Sequence, residues 1–368
     1  MKAKEYLHYE QYLLRGKRKK NGFQRIRYTF NGINRETGIE RTFFIELVLL
    51  NPALSPTKAV VISDSQLESG KSQSYVLLKA GSYGKQAQQF KRYYAQKDFI
   101  RQKGQQGFKI GNCIFGPNVI AGSLVVGQAD LIAQPELDCA AGSISWELRF
   151  EQKIGSFPLY KKHGSVWIAP GAKTLFSGTI RMSGLEYAVL PKKSFGYIDR
   201  IWGTDFVSPL FHLSSAHLVS TISGNPLQKS CLSIGGLFDG QLRSFIMLEG
   251  EVLPIKKRWL LEKYSEVHGC SEVPADADGE KLHWTVSIHK KNLVVDVDVF
   301  CRRDEMLVQN CDLIQKSRNE MHIVGGGSGF GEIRIYKKVR KSLELLEDAR
   351  IESALCEYGI KSSGAEAL

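Results

Sequence analysis

The sequence predicts an all-β protein of two antiparallel β-barrel or sandwich domains with little helix. Three observations lead there. Runs of about five to ten residues, apolar or alternating apolar with polar, recur along the chain between clusters of Gly, Asn, Asp and Pro, as short strands joined by turns do. Period-3.6 patterning is confined to Lys4–Leu14 and Lys85–Tyr94, so the crossover helices of a parallel sheet are missing. The chain has 368 residues, beyond the ~250–300 at which one core stops growing.

Taken in order, the first half suggests strands at Gly22–Phe30, Arg41–Leu50, Ser74–Ala80, Gly107–Ile114, Val119–Val126, Gly142–Glu151, Ala172–Met182 and Glu186–Leu190. The second half suggests Phe195–Trp202, Phe211–Ile222, Ser230–Phe238, Leu242–Leu248, Lys257–His268, Lys281–His289, Leu293–Cys301, Glu320–Val324, Gly331–Val339 and Leu343–Cys356. Asn31-Gly32, Asp239-Gly240 and Lys290-Lys291-Asn292 lie between apolar runs, where hairpin connections belong. The turn-rich stretch between Trp167 and Leu190 places the expected boundary, dividing the chain into residues 1–175 and 176–368. Closure or sheet packing then removes the exposed edges that so many strands would carry.

The 50 Lys and Arg against 38 Asp and Glu leave a net charge of +12, spread diffusely. The compact run Lys17-Arg18-Lys19-Lys20 precedes a turn signal, Asn21-Gly22, and no nucleic-acid module accompanies it. It reads as a solvated loop, with a peripheral contact to anionic phospholipid as the sharper alternative; no nucleic-acid partner is expected. The N-terminal stretch lacks the apolar segment of a signal peptide, and no run is apolar enough to span a membrane. A soluble, cytoplasmic protein is the expectation. Seven cysteines without C-x-x-C pairs read as reduced thiols filling cores.

Catalytic motifs are sparse. Gly325-Gly326-Gly327-Ser328-Gly329-Phe330-Gly331 lacks the Lys-Ser/Thr end of a phosphate loop and runs into a strand pattern, so it reads as a hairpin or bulge where backbone closely approaches a cavity. Glu332 would leave that bend facing either a cavity or solvent. No H-E-x-x-H exists, and His283 and His289 would stand ~20 Å apart along one strand; neither metal nor cofactor is expected. Asp296 and Asp298 alternate with valines and give one polar face.

The richest segment is Phe195-Gly196-Tyr197-Ile198-Asp199-Arg200-Ile201-Trp202-Gly203-Thr204-Asp205-Phe206. It combines aromatic surface with a few orienting polar groups, the composition of a ligand-site wall. The plainer reading is a strand whose Trp202 fills a core and whose Asp199 pairs with a base.

Within that segment, Gly196-Tyr197-x-Asp199-Arg200-x-Trp202-Gly203 resembles a signature of tocopherol cyclases and of carotenoid hydratases such as hydroxyneurosporene synthase. The N-terminal pair Phe23–Phe30 and Arg41–Leu47, ending in Asn51-Pro52, is similar in layout to the first strand pair of tocopherol cyclases. Gly329-Phe330-Gly331-Glu332-Ile333 resembles the last barrel strands. The Gly-Trp-Tyr element of the first strand is absent, replaced by Gln24-Arg25-Ile26-Arg27-Tyr28, and Ile201 stands where those families carry a polar side chain.

The resemblance implies two lipocalin-like domains and an enzyme that protonates a prenyl double bond, after which water or an internal hydroxyl captures the cation. Asp199 is the expected acid, kept protonated by burial. Tyr197 and Trp202 would face the cation, and Asp205, His212 and Glu332 complete the expected ligand site. Arg25 and Arg27, where an aromatic residue would line the pocket, suggest an anionic substrate instead. The alternative is a non-catalytic carrier of a hydrophobic or amphipathic ligand on the same cavity. A third reading, a surface module for polyanions, rests on the diffuse charge alone.

Overall fold

The computed structural model describes residues 14–61, 72–101, 107–162, 164–192, 195–208, 210–255, 263–311 and 320–362. Nearly every element is a strand, and every strand pair is antiparallel. The first sheet holds β1 (Phe23–Asn34), β2 (Glu40–Leu50), β3 (Tyr75–Ser82), β4 (Gln88–Tyr94), β5 (Phe99–Arg101), β6 (Phe108–Ile110), β7 (Cys113–Phe115), β8 (Val119–Val126), β9 (Gly142–Lys162), β10 (Ser165–Met182), β11 (Leu185–Val189) and β12 (Gly196–Gly203). The second holds β13 (Leu210–Ser220), β14 (Cys231–Leu237), β15 (Leu242–Leu248), β16 (Glu251–Val252), β17 (Tyr264–Asp276), β18 (Gly279–Lys290), β19 (Leu293–Arg302), β20 (Leu307–Cys311), β21 (Glu320–Val339) and β22 (Ser342–Ser362). One α-helix, α1 (Gln128–Ala133), stands among the described residues.

The first sheet is barrel-like. It runs from β4 through β3, β2, β1, β11, β10, β9 and β8 to β5, while β12 pairs with both β1 and β10. β4 also meets the connection into β9, where Ala140 N–H donates to Gln89 O at 3.0 Å. In the second sheet the edges formed by β15 and β17 are bridged by side chains: Leu242 N–H donates to Glu266 at 3.0 Å, and His268 Nε2 lies 2.6 Å from Phe238 O.

Alternation explains the packing. In β1, Ile26, Tyr28 and Phe30 fill the first sheet's interior, together with Phe43, Ile45 and Leu47 of β2. The intervening Arg25, Arg27, Thr29 and Asn31 are also buried. They point outward but meet the second sheet instead of water, because successive side chains of a strand face opposite ways. The second sheet has its own core, including Phe211, Leu213, Val297 and Ala354. Between the two, Phe44, Tyr83, Trp167 and Tyr197 pack against Ala216, Cys231, Phe245 and Leu355. Lys173 adds a polar clamp from β10, its ammonium donating to the carbonyls of Ala216 at 2.9 Å and of Leu227 and Ser230 at 3.2 Å.

Several local expectations differ from the structure. Lys85–Tyr94 is not helical: Gln88–Tyr94 forms β4 and pairs with β3 along its length, tertiary pairing overriding a chance helical spacing of Phe90, Tyr93 and Tyr94. Asn31-Gly32 continues β1, and the chain turns at Arg35–Thr37, where Asn34 Oδ1 accepts from Glu36 N at 3.0 Å and Thr37 N at 2.8 Å. The position 175/176 falls inside β10, and the chain changes sheet between Gly203 and Leu210. Apart from Leu14, the helix expected over Lys4–Leu14 lies outside the described residues, as does the first half of the strand expected over Lys257–His268.

The glycine run lies inside β21, with register shifts between Gly326 and Gly331. A Cβ on Gly327 would stand 2.5 Å from Thr42 Cγ2, and Gly327 O accepts from Thr42 Oγ1 at 2.8 Å. Glycine here lets the second sheet's backbone touch the first.

Candidate active site

The inter-sheet faces of β1, β2, β3, β12, β13 and β22 bring together a cluster of ionisable side chains. Arg25 and Arg27 come from β1, Glu46 from β2, Lys79 from β3, Asp199 from β12, His212 from β13 and Glu357 from β22, and each is at most 5% exposed. Asp199 accepts from Arg25 Nη2 at 3.1 Å, Arg27 Nε at 3.1 Å and Trp167 Nε1 at 3.1 Å. Arg27 reaches across the sheets to Glu357, its Nη2 donating at 2.9 Å and its Nη1 forming a second contact. Lys79 pairs with Glu46 at 2.5 Å and donates to Gln309 at 3.1 Å. The three basic groups balance the three carboxylates, as burial of charge requires.

His212 sits at the end of this network. Its Nδ1 lies 2.6 Å from Glu357 Oε2, and its Nε2 lies 2.8 Å from Ser214 Oγ and 3.4 Å from Tyr197 Oη. The indole of Trp167 meets the imidazole edge-on at 4.9 Å. A carboxylate on one ring nitrogen with the other turned to hydroxyl groups is the arrangement of an oriented acid–base histidine.

Electrostatics separates the roles of the two carboxyls from the expectation. Burial alone pushes the Asp199 carboxyl up, but the guanidinium groups of Arg27 and Arg25 outweigh it and hold the group below its ordinary value. Asp199 is therefore an ionised acceptor, and the protonated acid expected at this position is corrected. Glu357 behaves likewise: burial raises it, yet Arg27 and the bond to His212 hold it well below the usual carboxylate range. Tyr197 is pushed well above the ordinary phenol value by burial and by the Asp199 charge, so it is a neutral O–H.

Two spaces flank the cluster. On one side a cavity of about 30 Å³ is walled by His212, Glu357, Asp199 and Arg25 at its polar end and by Phe206, Leu210 and Met321 at its apolar end. It has room for about one or two waters. On the other side a polar cleft of about 490 Å³ is lined by Asn31, Thr42, Tyr83, His217, Glu352 and Ser353. Arg25 and Asn31 lie on the same face of β1, so the cluster stands between cavity and cleft. Tyr83 Oη, buried at the cleft floor, has no hydrogen-bond partner among the described residues.

The other expected site residues divide. Tyr197 and His212 join Asp199. Trp202 follows Asp199 by an odd number of residues on a strand whose pairing with β1 is unbroken, so it faces away from the inter-sheet side, without the bulge that would re-aim it. Asp205 lies in the crossover beside the cavity, its carboxylate accepting from Phe206 N at 2.8 Å and its carbonyl bonded by Ser165. Glu332 is a correction: it is 38% exposed on the outside of the second sheet and pairs with Arg334 at 2.5 Å. Arg25 and Arg27 are neutralised by carboxylates, which removes the reason to infer an anionic substrate from them.

Sequence reasoning missed Glu357, Glu46, Lys79, Trp167 and Tyr83. A signal existed for two of them. Glu46 interrupts Phe43-Phe44-Ile45-Glu46-Leu47-Val48-Leu49, and Lys79 interrupts Tyr75-Val76-Leu77-Leu78-Lys79-Ala80; a lone charge in such a run needs a buried partner.

No protein-family model matches the sequence, and no curated protein matches it. Two solved structures are similar in fold. A proposed AttH from Nitrosomonas europaea shares 11% identity over 92% of each chain, with a TM-score of 0.45. Kievitone hydratase from Nectria haematococca shares 11% identity over 90% of this chain and 88% of its own, with a TM-score of 0.42. Likeness this distant carries no chemistry across. Among the described residues no helix is long and apolar enough to cross a membrane, and no group of three or more His, Cys, Asp or Glu is placed to hold a metal ion.

Proposed function

We propose that the protein is an acid–base enzyme that adds water or an internal hydroxyl across a carbon–carbon double bond of a prenylated or otherwise apolar molecule, with His212 as the proton-transfer group. The observation that carries this reading is His212, held by Glu357 at 2.6 Å with Nε2 beside the buried hydroxyls of Ser214 and Tyr197, in the wall of an apolar cavity.

In the proposed step the imidazolium gives its Nε2 proton to one alkene carbon. The cation left on the other carbon is captured by the oxygen of water or of the substrate's own hydroxyl, and the proton lost from that oxygen returns to Nε2. Glu357 stabilises the imidazolium before transfer. Trp167, whose indole lines the cavity beside His212, offers a ring favourable to a nearby cation. The cavity as it stands holds only about one or two waters, so a substrate would reach the dyad from the apolar end only with the strandless crossover 204–208, which carries Phe206, moved aside.

A carrier would share the apolar end and could use the charged network to join the sheets, but it needs no histidine held by a carboxylate on one ring nitrogen with hydroxyls at the other. The test is incubation with a panel of prenylated phenols and prenyl alcohols in heavy water, followed by mass spectrometry. Hydration appears as an added water and ring closure as one deuterium on carbon, and both vanish in His212→Asn protein that retains its fold by circular dichroism. Ligand retained without conversion by the unmodified protein would move the assignment to a carrier. Full turnover by His212→Asn would remove the histidine from the chemistry.

A further inference from the structure

The far ends of two adjacent hairpins in the second sheet form an exposed surface that combines leucines with unpaired bases. The β21–β22 hairpin end carries Lys337 and Lys338 in the last residues of β21 and Arg340 and Lys341 in the turn, all exposed. The β18–β19 turn beside it carries exposed Lys291, and the two are tied by a bond from Lys338 N–H to Asn292 O at 2.7 Å. Lys291 N–H in turn donates to Lys263 O at 3.2 Å, bringing another exposed lysine to the same end. Among the described residues, none of these six cations forms an ion pair; Glu344 is an exposed acid in the same stretch.

Directly after the turn, Leu343, Leu345 and Leu346 are 52%, 48% and 47% exposed. Scattered exposed leucines are ordinary, but three within four residues beside six cations are not. The turns themselves add a second observation. Lys291 has φ 45° and Arg340 φ 55°, in the left-handed region where Gly or Asn is the low-cost choice. Both hairpins therefore place a base where the backbone favours a small residue.

We infer that these hairpin ends are a docking surface for an anionic phospholipid bilayer. The leucines enter the boundary between headgroups and acyl chains, and the bases remain among the phosphates. A polyanion such as nucleic acid would match the bases and leave the leucines in water, so the pairing of the two features selects the bilayer. The surface is separate from the His212 site, and the inference stands without the chemistry proposed for that site.

The test uses the full chain and sedimentation with vesicles of phosphatidylcholine and phosphatidylserine in equal parts, against pure phosphatidylcholine. The protein is expected to bind the mixed vesicles and not the neutral ones. Asn fits a positive φ, so Lys291→Asn/Arg340→Asn should keep its thermal stability while losing affinity about fivefold per charge, about 25-fold together. Leu343→Ser/Leu345→Ser/Leu346→Ser should bind at low salt and release at physiological salt, where the unmodified protein holds. Neutralising Lys17, Arg18, Lys19 and Lys20 to Gln serves as the control and should leave binding unchanged. Binding that follows the control instead, equal binding to neutral vesicles, or hairpin variants that bind as the unmodified protein would overturn the inference. Tight capture of a DNA duplex that survives the leucine substitutions would reassign the surface to polyanions.

Discussion

Arg27 and Glu357 stand 330 residues apart in sequence and meet face to face between the two sheets, joined by both guanidinium Nη atoms. Arg27 shares its remaining donors with Asp199. One guanidinium thus holds the carboxylate of β12, in the first sheet, and that of β22, in the second. The same Glu357 orients His212, so the contact that fastens the sheets also sets the geometry of the site.

Glu357→Gln should therefore cost stability out of proportion to its size. It leaves the Arg27 guanidinium short of a charge where water cannot compensate, and breaking a buried pair from one side costs ~3–5 kcal/mol. Urea unfolding of Glu357→Gln, Arg27→Met and the double variant should show strong non-additivity. Losses below about 1 kcal/mol in both single variants would mean that the network contributes little.

The pH dependence follows from the direction of the shifts. Asp199 and Glu357 are both depressed in the folded protein relative to the unfolded chain, whose carboxyls titrate near ~4. A depressed carboxyl contributes stability fully above its unfolded value, and that contribution is lost as pH falls through the folded one. Unfolding free energy should be level in these groups above about pH 5 and decline below about pH 4. Glu357→Gln should flatten the decline. An unchanged acid limb in that variant would contradict the depressed assignment.

Asp199→Asn and His212→Asn should separate positioning from proton transfer. Asparagine at 199 still accepts from Trp167 but leaves Arg25 and Arg27 undercompensated, so stability falls while turnover drops far less than in His212→Asn. His212→Asn should lose ~10²–10⁴-fold in turnover, the usual worth of a general acid–base group. Loss of turnover in Asp199→Asn as large as in His212→Asn, in protein that keeps its fold, would restore the aspartate as the acid.

Cys113, Cys139, Cys231, Cys270, Cys301 and Cys356 are free thiols, and all of these but Cys139 and Cys270 are buried. Burial pushes Cys231 up to about 12 and Cys113 to about 11, far from the thiolate that reacts. A thiol reagent should label native protein slowly and incompletely, and label all seven cysteines of the sequence after unfolding without reductant. Fast labelling of Cys231 in the native state would show that the sheets separate readily.

Composition and alternation by themselves determined the all-β class and the position of most strands, because a strand's two faces are written in every second residue. They also marked the Tyr197–Asp199 stretch as unusual, since aromatic, charged and glycine residues crowd there. What alternation cannot say is what lies beyond the outward face. Arg25, Arg27, Glu46 and Lys79 occupy positions that in an isolated barrel would meet solvent, and only the second sheet, packed over them, makes them a buried network. The protonation of Asp199 was decided in the same way. Burial argued for a neutral acid, but two guanidinium groups from a strand about 170 residues away reverse the sign. His212 and Glu357, separated by 145 residues, became a dyad through the pairing of β13 with β22. Local sequence carries which face a residue takes; which charge stands opposite is a long-range property, and the chemistry of this site depends on it.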